Sequence, residues 1–210
     1  MEWRVDHFGA LTDTRAVLDT AHALARLLGP VPLLVTCRTV SEGGAADLGP
    51  DAYGELLSAL ASSGAADLLD VEHRRAGDVV AAVVATAGRH GVAVVASEHD
   101  FEATPPATEL VRRLRDMQDA GADVAKIAVM PRTRADVLAL LDATREMTEE
   151  YADIPVITMS MGPLGVVTRL AGHLFGSAAT FASAGAASAP GQVEVEDLRA
   201  VLEVLDHASR

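Results

Sequence analysis

Short apolar runs rich in β-branched residues alternate with longer amphipathic segments along this chain. The runs are EWRVD at 2–6, PLLVTCR at 32–38, LLDVE at 68–72, VAVVAS at 92–97, KIAVM at 126–130 and VITMSM at 156–161. Between them lie stretches at 14–29, 51–64, 76–91, 104–121 and 133–151 with apolar residues at helical spacing. In the first of these, Val17, Leu18, His22, Ala25 and Leu28 share one face, and Gly29-Pro30 marks its end. Strand then helix, recurring about every 25 to 35 residues, predicts parallel strands joined by crossover helices.

An open doubly wound sheet and a closed (β/α)₈ barrel both meet that description. No GxGxxG follows a first strand, so a dinucleotide crevice has no support. Polar residues or a glycine stand at the C-terminal ends of nearly all strands: Arg4, Arg38, Glu72, His99, Met161-Gly162 and Ser188. A barrel collects its active site from such positions, which favours the barrel. Counting from EWRVD, seven strands are identifiable, the seventh at AATF (178–181). Residues 1–210 are expected to form one (β/α) barrel domain, and 181–192, built of small residues, a mobile loop.

Composition narrows the picture. Half the residues are hydrophobic but only 3% are aromatic, so Ala, Val and Leu must fill the core. A net charge of −13 argues against nucleic-acid or anionic-membrane partners, while leaving room for a small anion held by a few arginines. The longest apolar stretch, 79–97, is interrupted by Arg89 and His90 and is not expected to span a bilayer. A single cysteine, Cys37, excludes an internal disulfide and fits a reducing cytoplasm. No CxxC, HExxH or EF-hand spacing occurs, so no metal and no cofactor is expected.

Lys126 is the only lysine, in a chain that otherwise spells its cations as arginine. Strand alternation places it with Ala128 and Met130 on one face. An amine that attacks a carbonyl must first be neutral, and burial and nearby arginines both favour the neutral form. Arginine cannot substitute for it. The competing reading is a lysine that snorkels from a strand end or pairs with an acid. His99, after the VAVVAS run, has the chemistry for proton transfer near neutrality, or else caps the surface. Arg4, Arg38 and Arg169, if they converge, suit a substrate with a carboxylate and hydroxyls. Glu2 lies on the face of Arg4, and Glu42 could orient a histidine or simply face water.

Taken together, EWRVDHF (2–8), TCRTVSEGG (36–44), SEHDFEATP (97–105), GADVAKIAVMP (121–131), ITMSMGPLGVVTRLAGHLFGSAATF (157–181) and SAPGQ (188–192) resemble the type I 3-dehydroquinate dehydratases. The resemblance implies a (β/α)₈ barrel, usually dimeric, that dehydrates 3-dehydroquinate to 3-dehydroshikimate in chorismate biosynthesis or quinate catabolism. It implies that Lys126 forms the Schiff base, that His99 donates and accepts the proton, and that Glu42 orients His99, with Asp70 as a further candidate for that network. Glu2, Arg4 and Arg38 would meet the substrate hydroxyls. Arg169 would pair with the carboxylate, assisted by Ser188 and Gln192 on a closing loop.

Some positions depart from that pattern. Ala125 stands where the family has proline, His173 where it has glutamate and Thr168 where it has serine. A first strand and helix expected ahead of EWR are not present. The barrel therefore reads as lacking its first βα unit, through either an upstream start or a truncated, impaired paralogue. A class I aldolase, which uses the same imine, and a non-catalytic ligand-binding remnant are the competing functions.

Overall fold

The alternation legible in the sequence is the alternation observed. The structure, a computed structural model, describes residues 1–75, 77–185 and 189–208. Six strands are present among them: β1 (Glu2–Arg4), β2 (Leu34–Thr36), β3 (Leu68–Glu72), β4 (Ala93–Asp100), β5 (Val124–Val129) and β6 (Val156–Ser160). The longer helices are α1 (Thr14–Leu28), α2 (Pro50–Ser63), α3 (Gly77–His90), α4 (Ala107–Asp119), α5 (Arg134–Glu146), α6 (Val166–Ala171) and α7 (Val195–Ala208). None of the described helices is long and apolar enough to cross a membrane.

Local chemistry sets the helix ends. The Asp13 side chain accepts the Ala16 N–H ahead of α1, and Gly29 closes it with φ 58°. Pro50 occupies the first turn of α2, and Gly64 (φ 72°) follows its last residue. Thr133 and Asp136 form a reciprocal capping box at α5. That helix gives way at Met147–Tyr151 to a π-helical turn, so the periodic run at 133–151 is not one regular helix.

The chain divides into two compact units, Met1–Glu98 with Asp119–Val124, and His99–Gln118 with Ala125–Arg210. In the first, β1, β2, β3 and β4 pair in parallel and in sequence order. Register puts Val35 beside Leu69 and Leu69 beside Val94. Those side chains join Val17, Ala21, Leu57, Leu60, Val80 and Val83 in the apolar core. The opposite face changes character along the strands. Leu34, Leu68 and Ala93 share one register row, then Thr36, Asp70 and Val95, then Glu72 and Ser97. Polar groups thus gather at the C-terminal ends.

In the second unit β5 and β6 are parallel, with Lys126 opposite Ile157 and Ala128 opposite Met159. Thr158, on the other face of β6, meets Thr144 of α5 (2.6 Å), which identifies that face as the helix-packed one. The expected seventh strand is not assigned. Ala178 N–H donates to Val156 C=O (2.8 Å), but residues 178–181 form no further ladder among the described residues. Small residues there supply little side-chain packing to extend the pairing. The C-terminal helix α7 had no counterpart among the sequence expectations.

Candidate active site

The first unit holds a buried polar cluster centred on Arg38, two residues beyond β2. Its Nη2 donates to Asp70 Oδ1 (2.7 Å). Its Nη1 donates to Ser97 Oγ (3.0 Å), Glu72 Oε1 (3.2 Å) and, at the limit, Glu42 Oε2 (3.5 Å). Ser97 Oγ donates onward to Asp70 (2.6 Å). Burial alone would favour the neutral guanidine, but the three carboxylates outweigh it and raise the Arg38 pKa. Burial pushes the Glu42 carboxyl up to about 8; Arg38 opposes this, and Glu72, Asp70 and Glu98 add to it. The crowding of buried acids favours retention of a proton on Glu42.

Glu2 and Arg4 lie beside this cluster at the end of β1. Thr36 Oγ1 donates to Glu2 (2.7 Å). Arg4 forms a two-point fork with Asp6, at 2.7 and 2.6 Å. Burial pushes the Asp6 carboxyl up, but the Arg4 fork and the N–H groups of Ala45 and Arg38 outweigh it and hold it below its ordinary value. Asp6 and Ser97 were not singled out by sequence reasoning, and Glu72 was read only as a polar strand end; the polar residue two after Arg4 was the available signal for Asp6.

The second unit holds the other expected residues. Lys126 is 4% exposed on β5, on the face turned away from α5. Its Nζ lies 4.5 Å from the centroid of the Phe181 ring. Phe181 escaped sequence reasoning. His99 lies within β4 rather than after it, because the strand runs on to Asp100, and it is half-buried.

Arg169 sits on α6, 2% exposed. It donates from Nη1 to Met159 Sδ (3.4 Å) and from Nη2 to the Pro190 carbonyl (3.2 Å). Its Nε has no partner among the described residues, and burial lowers its pKa. A guanidinium this enclosed, with no carboxylate bound to it among the described residues, is a strong anion-seeking group.

The segment expected to be mobile is pinned on its described parts. Pro190 C=O also accepts from Gly162 N–H (3.1 Å), and Ser183 exchanges backbone bonds with Val193 and Val195. Gly191, at φ 75°, lets the chain pass so near Gly162 that a Cβ would fall 2.6 Å from its carbonyl oxygen. Gln192 follows directly. Ser188 lies outside the described residues.

The lone lysine, buried on a parallel strand, lies in the same unit as a half-buried histidine, His99, and a buried arginine, Arg169. Residues 1–209 match the sequence profile described as type I 3-dehydroquinase. The chain belongs to this family. It is 52% identical over 208 residues to the 3-dehydroquinate dehydratases of Salmonella agona and Salmonella typhimurium, an overlap of 99% of this chain and 82% of each relative.

Solved structures agree. The type I 3-dehydroquinate dehydratase of Clostridium difficile with covalently modified comenic acid superposes with a TM-score of 0.95 at 44% identity, over 99% of this chain and 82% of that one. The 3-dehydroquinate dehydratase of Geobacillus kaustophilus gives 0.96 at 45%, over 100% and 81%. The fold is therefore the barrel-type α/β fold of these enzymes. The protein is a hydro-lyase that converts 3-dehydroquinate to 3-dehydroshikimate, in the shikimate pathway, by the Schiff-base route of type I enzymes.

Proposed function

We propose that Lys126 is the amine that forms the Schiff base and His99 the group that moves the proton. The observation that carries this reading is the enclosure of the chain's only lysine on β5, with a ring over its Nζ. The amine adds to the ring ketone and expels its oxygen as water. The resulting imine acidifies the neighbouring carbon by accepting the electron pair left behind. His99 takes that proton and later returns one to the departing hydroxyl, which leaves as water. Water then hydrolyses the imine and frees Lys126.

Arg169 is proposed to bind the substrate carboxylate. Support comes from its burial and, among the described residues, from its lack of a carboxylate partner and its idle Nε. Gln192 and Ser188 are assigned beside it from the resemblance. Glu2, Arg4 and Arg38 are proposed as partners for the ring hydroxyls, and Glu42 as the group that orients His99. The depth and crowding of the Arg38 cluster support a fixed, preorganised role for that set.

A cytoplasmic homodimer is the proposed form. The buried free Cys37, whose thiol burial pushes up to about 12, suits a reducing compartment. Leu164, Val167, Leu174 and Phe175, between 38% and 52% exposed around α6, supply apolar surface for a second copy. Sedimentation at micromolar concentration would return a monomer mass if that is wrong.

The decisive experiment is borohydride reduction in the presence of 3-dehydroquinate, followed by peptide mapping. The adduct is expected on the peptide containing Lys126 and is expected to vanish in Lys126→Ala. An adduct on another residue, or none, would overturn the assignment.

A further inference from the structure

Glu72, the last residue of β3, is fully buried and has no place in the roles assigned above. Its two carboxylate oxygens are both spent on Thr39. Oε1 accepts the Thr39 backbone N–H (2.8 Å) and Oε2 accepts the Thr39 hydroxyl (2.7 Å). The same Oε1 accepts from Arg38 Nη1 (3.2 Å), and Oε2 from Arg75 Nε (3.2 Å). Glu72 is itself held in place. Its own N–H donates to the buried Tyr53 hydroxyl (2.9 Å), and the Arg75 guanidinium lies 4.9 Å from the centroid of the Tyr53 ring.

Thr39 in turn anchors the turn that carries Glu42. Its carbonyl accepts from the N–H of Glu42 (3.0 Å) and of Gly44 (2.8 Å). The turn is so tight that a Cβ on Gly44 would fall 2.1 Å from the Arg38 carbonyl oxygen. One carboxylate therefore fixes a residue by side chain and backbone together, and that residue's carbonyl fixes the peptide of Glu42.

We propose that Glu72 is a positioning residue for the dehydration, clamping Thr39 so that the Val40–Glu42 turn and the Arg38 guanidinium keep one geometry. The proposal rests on the assignment of Arg38 and Glu42 to the active site. What matters in it is the two-point hold on Thr39, since a catalytic group displaced by about 1 Å can lose about a hundredfold in rate. An amide at position 72 can keep both contacts to Thr39: its oxygen accepts the Thr39 N–H and its NH2 donates to the Thr39 hydroxyl, which then turns its proton to Ser41 Oγ, 2.8 Å away, while the acceptor that Arg75 Nε uses is lost.

The test uses the full chain with 3-dehydroquinate and compares Thr39→Val, Glu72→Ala and Glu72→Gln for kcat, KM, melting and borohydride trapping. Thr39→Val removes one hydroxyl and is expected to fold. It should lose about ten- to a hundredfold in kcat with KM within about threefold, because Glu72 still holds Arg38. Glu72→Ala should lower kcat and raise KM together, and Glu72→Gln should recover most of the lost kcat. Trapping on Lys126 should persist in all three. If Glu72→Ala does not fold, Thr39→Val carries the test. A folded Thr39→Val chain with trapped adduct and undiminished kcat would overturn the positioning role alone. Failure of the unsubstituted chain to trap any adduct would overturn the underlying assignment, and this role with it.

Discussion

The amino group of Lys126 and the ring of Phe181 face each other at 4.5 Å, close enough for the π-face to attract a cation on that nitrogen. The iminium proposed to form on Lys126 would carry such a charge, which is neutralised as the enamine forms and returns as the hydroxyl departs. The ring would also cover that bond against water. Phe181→Leu keeps an apolar cover and removes the π-face. Its kcat should fall about two- to thirtyfold, the equivalent of ~0.5–2 kcal/mol. Stopped-flow measurement of enone formation checks this, and unchanged turnover would reduce the contact to packing.

Arg38 pairs with Asp70 and also reaches Glu72 and Glu42. Removing it takes a charge partner from three buried carboxylates. Arg38→Met should cost about 3–5 kcal/mol of stability, the usual effect of deleting one partner from a buried ion pair. Urea unfolding followed by circular dichroism measures it. A loss below about 1 kcal/mol would mean that the acids simply take up protons when Arg38 is gone.

How much of this was legible beforehand depends on the distance over which each feature is determined. The helix ends at Gly29 and Gly64 are local, and they stand where the sequence placed them; the capping box at Thr133 is equally local but was not among the sequence expectations. Lys126 was legible because strand alternation alone puts it on the face of Ala128, and the register with β6 keeps that arrangement. Phe181 was not, because a lone aromatic among small residues has no periodicity to declare its neighbour. The Glu72–Thr39 clamp joins residues 33 apart and depends on the parallel register of β2 and β3. The AATF segment read as a strand by its place in the alternation, yet one backbone bond to β6 is all its small side chains accompany.

Glu42 gives the free enzyme a pH signature. Its folded pKa, about 8, lies above the ordinary 4.5, with burial as the leading cause. Below pH 4.5 the carboxyl is protonated whether folded or unfolded, so it adds no pH dependence. Between there and about 8 the unfolded chain has released a proton that the folded chain retains, so this group erodes stability as pH rises. Above about 8 the loss is complete. Glu42→Gln removes the titration. The stability of the variant relative to the parent should therefore climb from pH 5 to pH 9, measured as a difference in denaturation midpoint. A gap that is flat across that window would show an ordinary, ionised Glu42.

Arg169 presents a conflict between stability and binding. The residue is 2% exposed, its guanidinium contacts a thioether and a carbonyl, and no carboxylate among the described residues offsets its desolvation. Such a charge costs the free protein several kcal/mol even after relaxation, and the substrate carboxylate is the group proposed to offset it. Arg169→Met fills a similar volume without the charge. In the absence of substrate it should be more stable than the parent, by on the order of 1 kcal/mol. With substrate it should show a KM raised by about thirtyfold or more, the equivalent of ~2 kcal/mol for a lost buried charge pair. Calorimetric melting and steady-state kinetics on the same preparation check both halves. A variant that is less stable and binds normally would mean that Arg169 serves the packing of α6 rather than the ligand.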